Sequence, residues 1–400
     1  MKISIFSDLH FGFASNTPLE DDSFDNAEQA LKQSLDCDLI LICGDMFDEK
    51  FPKPDEIARA IKILSLAKNH NGAKIVKGIN KDVPDIKGIP IIALHGTHER
   101  WSGHINAVQL LESAGLLIHL HKSGVIVESG GIKVAVQGMS GVPERHAAEI
   151  MEMWSPKPIE GCYNILLLHQ SIHPFLYSPL EAPTLNLDNL PEGFDLIVNG
   201  HIHKKRFEKI GSKKILLTGS TIVTQLKEEE QEEKGIHKLF LPEDKIIFEP
   251  LQNVRKFFFE EVEIKDGESA REKIINALSK YKGNYQKKPL IKLRIKSGKF
   301  VNIDKEMKGI MKDYEDFIIR YSKEALGGES SEKTHMLREA RERKFSIVEL
   351  GMKILEENLI ESNFSKEIDY SKLFDYVTEG RLEHAKKLLV GEEDDQGHNI

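Results

Sequence analysis

The stretches LILICGDMFD (39–48) and FDLIVNGHIH (194–203) decide how this chain reads. Each is an apolar run of strand length that breaks at a glycine and delivers carboxylate or imidazole directly after it. Three further segments repeat the pattern: KISIFSDLH (2–10), IPIIALHGTHE (89–99) and YNILLLHQS (163–171). KVAVQGM (133–139) and KILLTGST (214–221) read as additional strands. Between them, residues 24–35, 55–68 and 105–114 have helical spacing of apolar positions, and Pro54 stands just before the second. Residues 75–88 (IVKGINKDVPDIKG) fit neither period and read as an insertion loop. Strands alternating with helices describe an α/β protein, and such sheets place their sites outside the carboxyl ends of the strands.

Four hundred residues exceed one average domain, so a core of about 250 residues with one or two smaller units is expected. The hydrophobic fraction of 40% and charged fraction of 30% are those of a soluble globular chain. MKISIFSDLH does not read as a signal peptide, because Asp8 and His10 interrupt a short apolar run, and no segment approaches a membrane span. Cys37, Cys43 and Cys162 form no CxxC pair and read as thiols in a reducing, cytoplasmic setting. The net charge of -9 excludes a generic polyanion binder. The basic run KKRFEKIGSKK (204–214) nevertheless offers a local patch for a phosphate backbone, led by Lys204, Lys205 and Arg206.

Composition shifts after Pro250. Strands at 257–265, 289–296 and 315–321, with helices at 268–282 and 304–313, make a small α+β unit over 253–325 behind a main domain of 1–252. LGGESSEKT (326–334) is a linker by composition. Two amphipathic helices, 345–358 and 370–389, fill a helical region of 335–390, and residues 391–400 are an acidic tail.

Five strand ends carry metal-ligand residues: Asp8 and His10, Asp45, His98, His169, and His201 with His203. Mixed carboxylate and imidazole donors suit Mn, Fe or Zn better than Mg or Ca. Asp45 is the candidate to bridge two ions, since one carboxylate can give an oxygen to each. Two ions about 3.5–4 Å apart can activate a water and stabilise both attacking and leaving oxygens of a phosphoryl centre. His95, His119, His121, His173 and His104 read as surface or loop histidines, the Glu-rich run 228–233 as a solvated loop or helix start, and Phe257, Phe258 and Phe259 as strand core.

The order DLH, GDMFD, GTHE, LHQ, GHIH resembles the calcineurin-like metallophosphoesterase signature. Within it the chain most resembles the archaeal SbcD-type nuclease subunit of the double-strand-break repair nuclease–ATPase complex, on LHQS, LPEGFDLIVNGHIHKK and TGSTIVTQLKEEEQEEKG. The motifs cover residues 1–235; beyond residue 255 the likeness is one of architecture. The resemblance implies a two-sheet sandwich flanked by helices, a DNA-binding cap and a helical region that binds an SMC-like ABC ATPase. It also implies two Mn ions per chain (Mg, Fe or Zn being alternatives), a homodimer through helices 55–68 and 105–114, and Mn-dependent 3′→5′ exonuclease and endonuclease action on DNA ends. One ion would be held by Asp8, His10, Asp45 and His203, the other by Asp45, His169, His201 and Thr97, with His98 acting on the leaving oxygen or the phosphate. In the family pattern Asp48 lies beside His98, and a carboxylate–imidazole dyad is expected.

The chain departs from the pattern twice. Thr97 stands where the family places Asn, and a hydroxyl is a shorter, weaker ligand than an amide oxygen. Asp48 stands where nuclease relatives often carry His, as in the family's protein phosphatases. Two other readings therefore fit parts of the sequence: a small-molecule or phosphoprotein phosphoesterase, and a DNA-end-binding scaffold with weakened catalysis.

Overall fold

In chain order the strands and helices of the first 250 residues are β1 Lys2–Phe6, α1 Asp22–Ser34, β2 Leu39–Cys43, α2 Pro54–Leu64, β3 Lys74–Ile79, β4 Ile91–Leu94, α3 Ala107–Ser113 and β5 Ile118–His119. There follow β6 Ser123–Ser129, β7 Ile132–Met139, α4 Ala147–Trp154, β8 Tyr163–Leu168, the short pair β9 Ile172–His173 and β10 Leu185–Asn186, β11 Leu196–Asn199, β12 Arg206–Ile210, β13 Lys213–Leu217, β14 Gly235–Phe240 and β15 Lys245–Pro250. The computed structural model describes residues 1–100, 105–176, 185–265, 267–298 and 302–325, and in the tail 372, 373, 376, 377 and 381–390.

Two sheets form, in the orders β15-β14-β1-β2-β4-β5 and β12-β13-β11-β8-β7-β6-β3. The continuous apolar runs are explained by burial on both faces. Ile3, Ile5, Leu39 and Leu41 turn one way, onto Val125, Val136, Ile165 and Val198 of the other sheet. Their neighbours Phe6, Ile40 and Ile42 turn the other way, onto Phe24, Ala27 and Leu31 of α1 and Leu64 of α2. On the far side, Leu166, Leu168 and Ile197 pack on Ala147 and Met151 of α4. The expected two-sheet sandwich flanked by helices is the architecture found, and β1, β2, β4, β8 and β11 all end in motif residues.

Residues 75–79, expected within a loop, belong instead to edge strand β3, paired antiparallel with β6. Its register slips between Ile75 and Lys77, and the strand is largely solvent-facing. A bulge on a lysine-bearing edge breaks the two-residue alternation by which a strand is recognised in sequence.

Beyond β15 lie β16 Phe257–Ile264, α5 Ala270–Ser279, β17 Leu290–Ser297, α6 Ile303–Asp313 and β18 Ile318–Ala325. The strands pair in parallel, order β16-β17-β18, with each crossover made by a helix. Ile291, Leu293 and Ile295 face Ile274, Leu278, Met307 and Ile310 of the helices. Of the phenylalanine triplet expected as strand core, Phe257 is buried, while Phe258 and Phe259 are half-buried, with Phe258 stacked on Tyr281 at 4.4 Å. Phe257 and Leu290 pack with Leu19 of the sandwich. Arg255 grips Asp22 with two guanidinium nitrogens, and Lys287 reaches Asp22 and Asp25.

The tail is a separate unit. There Leu373, Tyr376 and Ala385 pack together with Leu388 and Leu389, the last three on α7 Leu382–Val390, while Val377 and Leu382 are exposed. The expected linker 326–334, helix 345–358 and acidic tail 391–400 lie outside the described residues, as do His104 and Phe374.

Candidate metal centre

The turns after β1, β2 and β11 are backbone-strained at the residues that matter. Asp8, His10, Asp45 and His201 all have positive φ (54°, 46°, 44° and 69°), which non-glycine residues adopt at a cost and retain mainly at functional sites. Neighbouring glycines make room for them. A Cβ on Gly44 would meet His169 Nδ1 at 2.3 Å, and one on Gly96 would meet Asp45 Oδ1 at 2.0 Å.

The strand ends bring eight of the candidate residues into adjoining clusters. Asp8, His10 and His203 form one; Asp45, His169 and His201 form another; His98 meets His10 and Asp48 in a third. His10 Nε2 and His203 Nε2 face each other at 3.3 Å, with Asp8 Oδ1 3.4 Å from the latter. His169 Nε2 lies 3.1 Å from Asp45 Oδ2. Thr97 Oγ1 donates to Asp45 Oδ2 at 3.3 Å, and the His98 N–H donates to Asp45 Oδ1 at 3.0 Å.

The other ring nitrogens are already committed. His169 Nδ1 donates to the Cys43 carbonyl at 2.6 Å, which leaves Nε2 as the lone pair of the neutral ring. His10 Nδ1 is held by Asp48 Oδ1 at 3.1 Å, and His203 Nδ1 by Glu230 Oε1 at 2.7 Å. Outer partners that fix tautomer and ring orientation are the usual companions of metal-binding imidazoles. Asp8 Oδ1 and His169 Nε2 are buried and make no hydrogen bond. Buried polar atoms are rarely left so, and these lie where a cation would satisfy them. The donor set thus fits divalent metals.

Electrostatics agree. Burial pulls the His169 and His203 imidazoles down, but facing carboxylates override it and push them up to about 10 and about 9. Burial raises Asp45, yet His169, His10 and His98 bring it well below the usual carboxylate range; Asp8 is lowered likewise by His203 and His169. The site is a nest of opposed charge. His98, half-exposed, is pulled down by burial but held above its ordinary value by the Asp45 carboxylate and the Asp48 carbonyl.

The expected Asp48–His98 dyad takes a different form. The Asp48 carboxylate bonds His10 and stands 3.9 Å from His98 Nδ1, which donates instead to the Asp48 main-chain carbonyl. The basic run is partly committed too. Lys205 Nζ donates to the Glu233 carbonyl and lies over Phe248, Arg206 pairs with Glu208, and Lys204 is exposed.

Glu230, His95 and His119 are buried where a solvated or surface setting is expected, and Glu99 has a role that no motif signals. Glu230, taken for part of a solvated run, is buried against His203. Glu99 is fully buried and accepts from the Phe47 and Gly96 N–H groups, tying the GDMFD turn to the GTHE turn; burial and Asp45 raise it to about 7. His95 and His119 are buried rather than surface residues, joined Nδ1 to Nε2 at 2.8 Å. His173 is exposed as expected.

The sequence pattern of the calcineurin-like phosphoesterases matches residues 1–205. The chain belongs to that family. Its members use divalent metals, which the cluster geometry accommodates. This phosphoesterase is similar to the double-strand break repair protein mus-23 of Neurospora crassa, with 25% identity over 66% of this chain and 40% of that protein. It is 27% identical to the DNA double-strand break repair protein Mre11 of Methanopyrus kandleri, over 60% and 52% of the two chains. With the double-strand break repair protein MRE11 of Homo sapiens it shares 24%, over 65% and 42%. The chain spans about half the length or less of these relatives. The kinship read from its motifs, to the repair branch with archaeal members, is the one they bear out.

Proposed function

We propose that this phosphoesterase is a Mn-dependent DNA exonuclease and endonuclease that processes double-strand-break ends as the catalytic subunit of a complex with an SMC-like ABC ATPase. The observation that carries the reading is the pair of adjoining clusters with orphaned buried donors, open beside a half-exposed His98 that the Asp45 carboxylate holds above its ordinary value. The names of the curated relatives support the DNA substrate.

In this reading Asp8, His10, Asp45 and His203 hold one metal, and Asp45, His169, His201 and Thr97 the other. When bound, the metals would supply Lewis-acid stabilisation and an activated water. Asp48 and Glu230 orient the imidazoles of His10 and His203. His98 presents a protonated ring to the departing oxygen or the phosphate charge, a role that commonly contributes about 10²–10⁴-fold in rate. Lys204, Lys205 and Arg206 would meet backbone phosphates.

The same reading divides the chain into a nuclease domain (1–252), a DNA-binding cap (253–325), a linker (326–334), an ATPase-binding helical region (335–390) and an acidic tail (391–400), in a cytoplasmic protein. A homodimer would form through α2 and α3. Ile61 and Leu110 are 37% and 45% exposed there, whereas Leu64 and Leu111 belong to the core. Among the described residues, no helix is long and apolar enough to cross a membrane.

The test is digestion of end-labelled duplex and hairpin DNA with Mn beside a small phosphodiester. Chelator-sensitive DNA cleavage is expected. Hydrolysis of the small diester with the DNA left intact would favour the small-molecule phosphoesterase, which Asp48 in place of the nuclease histidine supports.

A further inference from the structure

Residues 223–231 form a strap with two sets of contacts. On one side they surround the outer nitrogen of His203: Glu230 Oε1 lies 2.7 Å from Nδ1, and Thr224 Oγ1 and Gln225 Nε2 each lie 3.2 Å from it. On the other side they hold the 257–325 unit. Val223 and Leu226 pack with Phe257, Leu290, Phe259 and Ile318, and Gln231 Oε1 accepts the Phe259 main-chain N–H at 3.0 Å.

Glu230 is well determined. Its second oxygen accepts the Thr224 N–H at 2.8 Å, its side chain is 3% exposed, and Lys234 is buried nearby with Nζ on Ser220 Oγ. Burial alone would raise this carboxyl, but the His203 bond and the Lys234 charge bring it below its ordinary value. The strap as a whole is less settled. Leu226 has a φ of 52°, a conformation costly for a side chain of that size. Beside Glu230 and Gln231 an open cleft of about 370 Å³ reaches Arg255, Phe258 and Tyr285, so the strap can shift without emptying a packed core.

From this arrangement we propose that Glu230 is a positioning residue for His203, and that the 257–325 unit sets its placement through Gln231 and the strap. Moving the cap would turn the His203 imidazole and retune one metal of the pair while leaving the other in place. The inference rests on reading His203 as a ligand.

Manganese binding by the full chain, followed by the loss of the free-ion paramagnetic resonance signal, tests it. Wild type should bind two ions, and His203→Ala should empty one site. Glu230→Gln keeps the shape and removes the charge; loss of an outer partner of this kind weakens a metal about 10–100-fold, and the effect is expected at the His203 site alone. Gln231→Ala, at an exposed position, should weaken the same site a few-fold with the melting temperature unchanged. If His203→Ala leaves both sites filled, the ligand reading itself fails and the inference with it. If His203→Ala empties one site but Gln231→Ala binds both ions as wild type does, the coupling is refuted on its own. Equal weakening at both sites also overturns it, because that is general loosening and not positioning.

Discussion

Asp48→Asn separates two roles for one carboxylate. The side chain bonds His10 Nδ1 at 3.1 Å, while His98 uses the Asp48 main-chain carbonyl, which the substitution leaves untouched. An amide oxygen can still accept from His10, so the loss is of charge, not of shape. Outer-partner changes cost about 10–100-fold in metal affinity. Asp48 is 24% exposed, and water would screen part of its charge, which places the loss near the lower end. Manganese should bind the His10 site about tenfold more weakly, which is about 1.4 kcal/mol. At saturating manganese, turnover should be close to wild type, since His98 keeps its main-chain partner, and the upper pH limb should move down only slightly with the loss of the Asp48 charge 3.9 Å away. Metal titration followed by rate measurement at saturating metal gives both numbers. Unchanged affinity with collapsed turnover at saturation would refute the argument and restore the direct dyad.

Asp45→Ala should empty both metal sites; full occupancy by metal analysis would end the bridging assignment. Deleting residues 335–400 should leave manganese-dependent cleavage intact and abolish co-purification with the ATPase, and retained association would place the docking surface elsewhere. The metal-free protein should lose stability as pH falls from about 6.5 to about 4. Burial pushes His95 well below its ordinary value, His121 and His237 to about 4, and His119 to about 3. These groups are neutral when folded, so their contribution is present above 6.5 and is lost as pH falls and the unfolded chain gains protons. Glu99, raised to about 7, runs the opposite way below that value, leaving about three protons taken up on unfolding (four less one). His169, His203 and His98, raised, oppose this near pH 6.5, where their unfolded forms are only partly protonated, and add little slope once pH is about a unit lower. Denaturant unfolding at about pH 5.5 and about pH 4.5, where the raised histidines are protonated in both states, measures this, and a flat profile would contradict the burial of the four histidines.

The strands that end at the motifs, and the candidate ligand residues after them, were legible in sequence because each rests on local chemistry. Leu39–Cys43, Ile91–Leu94 and residues 196–198 are apolar without alternation, and runs of that length ending in turn residues read as strands buried on both faces. Glycine followed by Asp45, by Thr97 and His98, or by His201 marks the turn at which such a strand must stop. Strand β3 was missed because its bulge removes the period that local reading depends on.

What the sequence by itself determined, then, is which residues stand at the strand ends and that carboxylates and imidazoles converge there. Tertiary structure decided who serves whom. Asp48 belongs to His10 rather than His98, Glu230 belongs to His203, Glu99 ties two turns together, and His95 and His119 are interior. Those pairings join residues 24 to 52 positions apart, brought together by packing between sheets and across loops. Burial then gives each bond its weight, because a carboxylate within reach of an imidazole counts far more without water than with it.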